Sequence, residues 1–137
     1  MTLTKSVIAG LLLWLALLFP ASTFAESEAY VLLQDSPLAG FQYHEGKALW
    51  NQLKTGDALT LTREPDNPYD ANAIRVDWQG HKLGYVPRRE NADVARIMDK
   101  GQRLQGRITR LQKAHSPWER IRFEIIVPID QHGPKGH

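Results

Sequence analysis

Short runs of alternating apolar and polar residues make up most of the chain after residue 28. Alternation with a period of two is typical of strands that bury one face. The clearest example is residues 58–64, where Leu59 and Leu61 fall on one face and Thr60 and Thr62 on the other. Strands are predicted over residues 29–34, 38–43, 58–64, 73–78, 82–87, 103–112 and 120–127.

Glycines and polar residues separate these runs. Gln79, Gly80 and His81 predict a tight turn, so the strands on either side of it are expected to pair as a hairpin. Gly40 lies inside the second run, where a missing side chain predicts a bulge or the close approach of another backbone segment.

Two segments space their apolar residues for a helix instead. Residues 46–54 carry Trp50 on an apolar stripe, which makes this ring a predicted core residue. Residues 91–100 begin at Asn91, the predicted N-cap, and end before Gly101. Six or seven short strands with two short helices predict a single, mainly β domain built as a small closed barrel.

The first 25 residues have the pattern of a secretory signal peptide. Lys5 precedes an apolar run over residues 7–19, and small residues end the segment before Glu26. The run is shorter than the roughly 20 residues of a membrane-spanning helix. We therefore expect cleavage after Ala25, export to the periplasm or the outside, and no stable membrane insertion afterwards. The alternative is an uncleaved N-terminal anchor.

Composition and charge restrict the function classes only weakly. The chain has no cysteine, so the fold must be held by its core without disulfides. Residues 26–80 hold 4 basic and 9 acidic side chains, a net of −5, whereas residues 81–137 hold 12 basic and 6 acidic, a net of +6. The basic half is able to attract polyanions, but solvated outer faces of strands explain the charge equally well.

The common catalytic and cofactor motifs are missing. There is no glycine-rich phosphate loop, no G-x-S-x-G, no H-E-x-x-H and no thiolate ligand. The five histidines are scattered over turns and the C-terminal tail, whereas a metal site needs clustered ligands. The sequence therefore predicts no cofactor, no bound metal and no enzymatic activity; a cofactor-free hydrolase is the weakest alternative.

One polar segment, residues 66–76, combines turn residues with a single large ring. Pro68 fixes its own φ and biases Asn67 away from helix, while the short Asx side chains bond to nearby backbone. Tyr69 has no packing partner within such a turn. Its ring is therefore expected either to fold onto the domain or to face a ligand.

Four short strings in fixed order resemble the HIRAN domain family. They are residues 39–43 (AGFQY), 56–65 (GDALTLTREP), 66–76 (DNPYDANAIRV) and 83–88 (LGYVPR). The resemblance covers about residues 35 to 110. It implies a six-stranded barrel of the OB or SH3-like kind, found both as a module of DNA-repair ATPases and as stand-alone bacterial proteins. It also implies capture of the 3′-hydroxyl end of single-stranded DNA.

The resemblance assigns a role to each of five residues. Tyr43 and Tyr69 match aromatic positions that stack on bases, and Asp70 matches the carboxylate that accepts the terminal hydroxyl. Asn67 matches a residue that contacts the terminal nucleotide, and Arg88 matches a phosphate-binding cation.

The match departs from the family at one position and leaves other readings open. Gln42 stands where the DNA-binding member carries a cation, which predicts weaker binding, and His44 restores charge only at low pH. Tyr69 and Asp70 are alternatively structural parts of the turn, and Tyr85 is expected to pack in the core. The second functional hypothesis is an envelope interaction protein that uses the barrel for a ligand other than DNA.

The predicted organisation follows from the leader, the strings and the patterning. Its parts are a signal peptide (1–25), an N-terminal strand or linker (26–34), the HIRAN domain (35–127) and a flexible tail (128–137).

Overall fold

The computed structural model describes residues 29–129 and contains six strands and two short helices. The predicted signal peptide lies outside this range. The elements are β1 (Tyr30–Pro37), α1 (Gly46–Leu49), β2 (Ala58–Arg63), β3 (Ile74–Trp78), β4 (His81–Tyr85), α2 (Ala92–Asp99), β5 (Gln105–Leu111) and β6 (Ile121–Pro128). Single 3₁₀ turns lie at Phe41–Tyr43, Trp50–Gln52, Arg88–Glu90 and Pro117–Glu119. The prediction of a mainly β domain with two short helices is confirmed.

The strands form one antiparallel sheet in the order β1-β6-β5-β2-β3-β4. Its two ends meet where the backbones of Ala39 and Tyr85 exchange two hydrogen bonds of 2.9 Å. Gly84 permits this approach, because a Cβ atom there would lie 2.1 Å from the carbonyl oxygen of Ala39. The sheet thereby closes into the barrel that the sequence predicts.

The core fills the inside of the barrel with the inward residues of the alternating strands. Leu59 and Leu61 are buried on β2 while Thr60 is exposed, as the alternation predicts. From α2, Val94 and Ala95 close the end of the core. Side chains with almost no exposed surface include Phe41, Ile74, Leu83, Ile108, Ile121 and Phe123.

The segment between β1 and α1 corrects the prediction. β1 continues through Ser36 and Pro37, which pair with Phe123 and Arg122 of β6. Proline has no backbone NH to donate, but it is tolerated here because β1 is an end strand of the sheet. The predicted strand over residues 38–43 ends after the Ala39 bridge. Gly40 has a left-handed φ of 75° and turns the chain into the 3₁₀ turn that carries Tyr43.

The remaining boundaries agree more closely. Gln79 and Gly80 have φ values of 46° and 81°, which is the type I′ geometry of a two-residue hairpin turn between β3 and β4. β6 extends to Pro128, opposite Tyr30, and the backbone NH of Ile129 donates to Ala29 at 3.2 Å. The first residue of the predicted tail, Pro128, is thus part of the sheet, and residues 130–137 lie outside the described range. No helix within residues 29–129 has the length and hydrophobicity to cross a membrane.

Candidate functional site

The loop between β2 and β3 is shaped by hydrogen bonds from its own side chains. The side-chain Oδ1 of Asn67 accepts from the NH of Tyr69 at 2.9 Å, and Oδ1 of Asp70 accepts from the NH of Asn72 at 2.9 Å. These are the Asx turns that the polar residues predict. Arg63 ties the far end of the loop down by donating to the carbonyl oxygens of Ala71 and Ala73.

This local geometry points the ring of Tyr69 into solvent. Tyr69 is 85% exposed, and the second predicted aromatic, Tyr43, is 78% exposed. Tyr43 ends a 3₁₀ turn and does not belong to a strand, which corrects its predicted setting. The two rings do not stack on each other in the described part of the chain. Both faces of each aromatic ring are therefore largely available to a ligand.

The carboxylate of Asp70 is fixed from a distant part of the sequence. Its Oδ2 accepts a 2.7 Å hydrogen bond from Nδ2 of Asn91, a residue that is only 1% exposed. Asn91 was expected to cap α2, but its side chain makes no cap hydrogen bond because it is directed at Asp70. Each side-chain oxygen of Asp70 accepts from one donor within residues 29–129 and retains a second lone pair for another donor.

Glu64 forms a second network that the sequence pattern does not reveal. Its Oε1 accepts from the hydroxyl of Tyr85 at 2.8 Å and from Nδ2 of Asn67 at 3.1 Å, and its Oε2 accepts from Arg75 at 3.3 Å. Partial burial by itself raises the pKa of Glu64, but the hydrogen bonds from Tyr85 and Asn67, with the charges of Lys82 and Arg75, outweigh it and lower the pKa. Glu64 thus holds Asn67 in place as a charged carboxylate.

Tyr85 is half-buried and lies outside the hydrophobic core, so its predicted core role is wrong. The ring of His44 meets it edge-on at 5.9 Å, and Nζ of Lys82 lies 4.6 Å from its centroid. Burial, and then the charge of Lys82, lower the pKa of His44, against a smaller opposite effect of Glu64. His44 is therefore neutral at pH 7.

An open groove of about 650 Å³ lies along these residues. Two aromatic rings, Tyr43 and His44, and two cations, Arg75 and Lys82, line it together with the carboxylates of Glu45 and Asp77. Arg75 projects from the outer face of β3, opposite the buried side chains of Ile74 and Val76. Lys82 projects from the outer face of β4. The sequence predicts that Arg75 and Lys82 point outward from the hairpin. It does not indicate which outward-facing residues border the site.

Arg88 is exposed in the 3₁₀ turn that leads to Asn91. Within residues 29–129 it forms no ion pair. Since Asn91 binds Asp70, this arginine belongs to the segment that supports the loop. Gln42, by contrast, is half-buried, and its Oε1 is buried without a hydrogen-bond partner in the described part.

The structure therefore brings Asn67, Tyr69 and Asp70 together on one loop and ties the segment after Arg88 to it through Asn91. Tyr43 is related to this loop only indirectly, through His44, Tyr85 and Glu64. Among the described residues no group of three or more histidine or acidic side chains is arranged to hold a metal ion.

The partial sequence relatives of this chain include two proteins that differ in kind. The mouse helicase-like transcription factor is 40% identical over 63 residues, which are 45% of this chain and 6% of that protein. The rice Fanconi-associated nuclease 1 homolog is 33% identical over 70 residues, 48% of this chain and 7% of that protein. The chain thus spans less than a tenth of the length of these relatives.

Two solved structures share the fold. A protein from Lactobacillus plantarum superposes with a TM-score of 0.64 at 35% identity, covering 73% of this chain and 96% of that one. The HIRAN domain of human HLTF superposes with a TM-score of 0.56 at 24% identity, covering 71% and 77%. The model of the HIRAN domain matches residues 31–130, well over half of the sequence. The chain belongs to the HIRAN domain family.

Proposed function

We propose that this chain is a non-enzymatic module that binds single-stranded DNA and captures its 3′-hydroxyl end. The observation that carries the proposal is the pair formed by Tyr69, which is 85% exposed, and Asp70, whose carboxylate is held by two hydrogen bonds. An exposed ring beside a fixed acceptor suits a nucleotide that is stacked and bound at its sugar. The names of both sequence relatives, a helicase-like transcription factor and a nuclease homolog, support a nucleic-acid partner.

Each part of the pair makes a separate contribution to recognition. Stacking of a base on Tyr69 or Tyr43 contributes roughly 1 to 3 kcal/mol and tolerates any base. Asp70 accepts the terminal hydroxyl through a free lone pair, and its charge repels a 3′-phosphate. Asn67 keeps the loop in the binding conformation through its bond to Glu64.

Two groups of cations are candidates for the adjacent phosphates. Arg88 and Arg89 are exposed next to the segment that holds Asp70. Lys82 lies in the groove with Tyr43 and forms no ion pair in the described residues. Arg75 is already paired with Glu64 and Asp77, so we assign phosphate contacts to Arg88 and Lys82 first.

Fluorescence anisotropy with short strands that end in a 3′-hydroxyl or a 3′-phosphate tests the proposal. Tyr69→Ala is expected to weaken binding about 5- to 150-fold, the equivalent of one lost stacking contact. Asp70→Asn is expected to bring the affinities for the two ends together. The matched control is Asp66→Asn, an exposed carboxylate in the same loop without a side-chain hydrogen bond in the described part. Equal binding of both ends by the unmodified protein, or no binding at low salt, contradicts the proposal.

A protein ligand is the second candidate function, and β1 favours it. Val31 is 47% exposed and Leu32 54% exposed on the part of β1 that precedes the closing bridge at Ala39, where the outer edge has no partner strand in the described sheet. Such an edge is a template for strand addition. If an envelope protein uses this edge, Leu32→Lys abolishes its co-purification and leaves oligonucleotide binding unchanged.

We further propose that residues 1–25 are removed during export. The pattern of charge, apolar run and small residues supports cleavage after Ala25. Intact mass measurement of the chain recovered from the cell envelope is expected to give a protein that starts at Glu26. A mass that includes Met1 contradicts cleavage.

A further inference from the structure

A second groove, of about 490 Å³, lies on the other side of the 3₁₀ turn that carries Tyr43. Its walls come from the α1 segment and from the loop between β5 and β6. We propose that this groove holds the nucleotides that precede the 3′-terminal one on the same DNA strand. The inference rests on the proposed function and extends it. Residues that line the groove include Phe41, Lys47, Trp50, Lys113 and Arg120.

The groove contains an aromatic side chain suited to a base. Trp50 is only half-buried, and its ring meets the buried ring of Phe41 edge-on, with centroids 5.8 Å apart and an interplanar angle of 68°. This contact fixes the indole from one side, so that little conformational entropy is lost when a ligand stacks on it. Trp50 was predicted to be a core residue, and the structure places it at the boundary between core and groove.

Three cations line the same groove as this ring, without a carboxylate among the described lining residues. Lys47, Lys113 and Arg120 line the groove, no acidic residue does, and none of the three forms an ion pair in the described residues. Arg120 is positioned by donating to the carbonyl oxygens of Ala114 at 2.9 Å and His115 at 3.5 Å. An aromatic ring among unpaired cations complements a base linked to phosphate.

The two grooves are close enough to share one strand. Phe41 lines this groove and Tyr43 lines the other, and two residues span at most about 7 Å. The 3₁₀ turn is the ridge between them. A strand that stacks on Tyr43 is therefore able to continue over the ridge toward Trp50.

The test compares a 3′-hydroxyl dinucleotide with a strand of about eight nucleotides, within the usual range for one barrel of this kind. The purified chain is expected to bind the longer strand at least about tenfold more tightly. Trp50→Leu, which keeps apolar packing on Phe41, is expected to remove most of this advantage and leave dinucleotide affinity unchanged. Lys113→Gln is expected to reduce the salt slope for the longer strand by about 0.7, the value for one phosphate contact.

Lys100→Gln is the matched control, because it removes the same charge at the end of α2, outside the groove. If the end is recognised but Trp50→Leu and Lys113→Gln leave the length advantage intact, the groove assignment is wrong and the end pocket stands. If the variants weaken the longer strand although neither the 3′ group nor Tyr69→Ala matters, the groove stands and the end pocket is wrong. No binding of the longer strand overturns both.

Discussion

Asn91 and Asp70 are separated by 21 positions in the sequence, yet the amide of one holds the carboxylate of the other. Asn91→Ala removes this hydrogen bond, and the NH of Asn72 is then the one remaining donor to the Asp70 carboxylate among the described residues. We expect a loss of about 1.5 to 3 kcal/mol in the free energy of unfolding, because the acceptor is a carboxylate, and weaker discrimination between 3′-hydroxyl and 3′-phosphate strands. Urea denaturation and anisotropy measure the two effects.

Asn91→Asp sharpens this test, because it keeps the shape of the side chain and places a second carboxylate next to Asp70. Like charges at this distance disfavour ionisation of both groups, so this variant is expected to be less stable at pH 7 than Asn91→Ala and to recover as the pH falls. Unchanged end discrimination in both variants contradicts a positioning role for Asn91.

The hydrogen bond from Tyr85 to Glu64 predicts a pH-dependent contribution to stability. Glu64 has a lowered pKa in the folded protein, so its contribution is present above its ordinary pKa of 4.5 and is lost as the pH falls through the folded value. Tyr85→Phe is expected to lower the free energy of unfolding by about 1 kcal/mol at pH 7 and by less at pH 3. The control is Tyr43→Phe, an exposed hydroxyl with no bond in the described part. A cost for Tyr85→Phe that does not change with pH contradicts the network.

For individual residues, the sequence predicts the hydrogen bonds between neighbours along the chain. Asn67 and Asp70 form the Asx turns that their neighbours require, and this leaves Tyr69 exposed. The partners that fix the turn, Asn91 and Glu64, depend on which strands and helices become neighbours. Spacing along the chain contains no information about that choice.

At the scale of elements, closure of the barrel depends on β4 meeting the segment after β1. Gly84→Ala places a methyl group 2.1 Å from the carbonyl oxygen of Ala39, so either the backbone shifts or the two closing hydrogen bonds break. We expect a loss of at least about 3 kcal/mol in the free energy of unfolding. Thermal or urea denaturation measures it.

Gly80→Ala is the comparison for this variant. Gly80 has a φ of 81° but open space around the Cβ position, so its substitution costs only the strain of a left-handed residue, about 1 to 2 kcal/mol. Equal losses for both glycines contradict the steric role of Gly84.

The strands and helices likewise divide into those that the local pattern predicts and those that depend on contacts with distant parts of the chain. The alternating runs of β2, β3 and β6 define their strands because burial on one face decides them. The apolar run over residues 38–43 does not, because Gly40 turns the chain and buries Phe41 under Gly46 rather than in a strand. In that segment tertiary packing outweighs the local pattern.

At the scale of the whole molecule, the fold mixes the charges that the sequence separates. The acidic half supplies Lys47 and Trp50 to one groove, and the basic half supplies Lys113 and Arg120 to the same groove. With Lys5 set aside, 16 basic side chains face 15 acidic ones, so the protein as a whole exerts little long-range attraction on a polyanion. The proposed binding to DNA must therefore come from individual contacts.

The salt dependence of the binding constant measures how many phosphates are neutralised by cations of the protein. Each phosphate neutralised on a single strand contributes a slope of about −0.7 to the logarithm of the binding constant against that of the salt concentration. For a 3′-hydroxyl dinucleotide that meets one or two cations we expect a slope between about −0.7 and −1.4.

Gln42→Lys supplies the cation that is missing beside Tyr43, and its long side chain is able to carry the charge into solvent from a half-buried position. This variant is expected to steepen the slope by about 0.7 and to raise affinity at low salt. Gln102→Lys adds the same charge away from both grooves and is expected to change neither quantity. An equal change of slope in Gln42→Lys and Gln102→Lys would place the strand elsewhere than beside Tyr43. A slope steeper than about −3 for the unmodified protein would mean that the short strand lies along a broad basic surface.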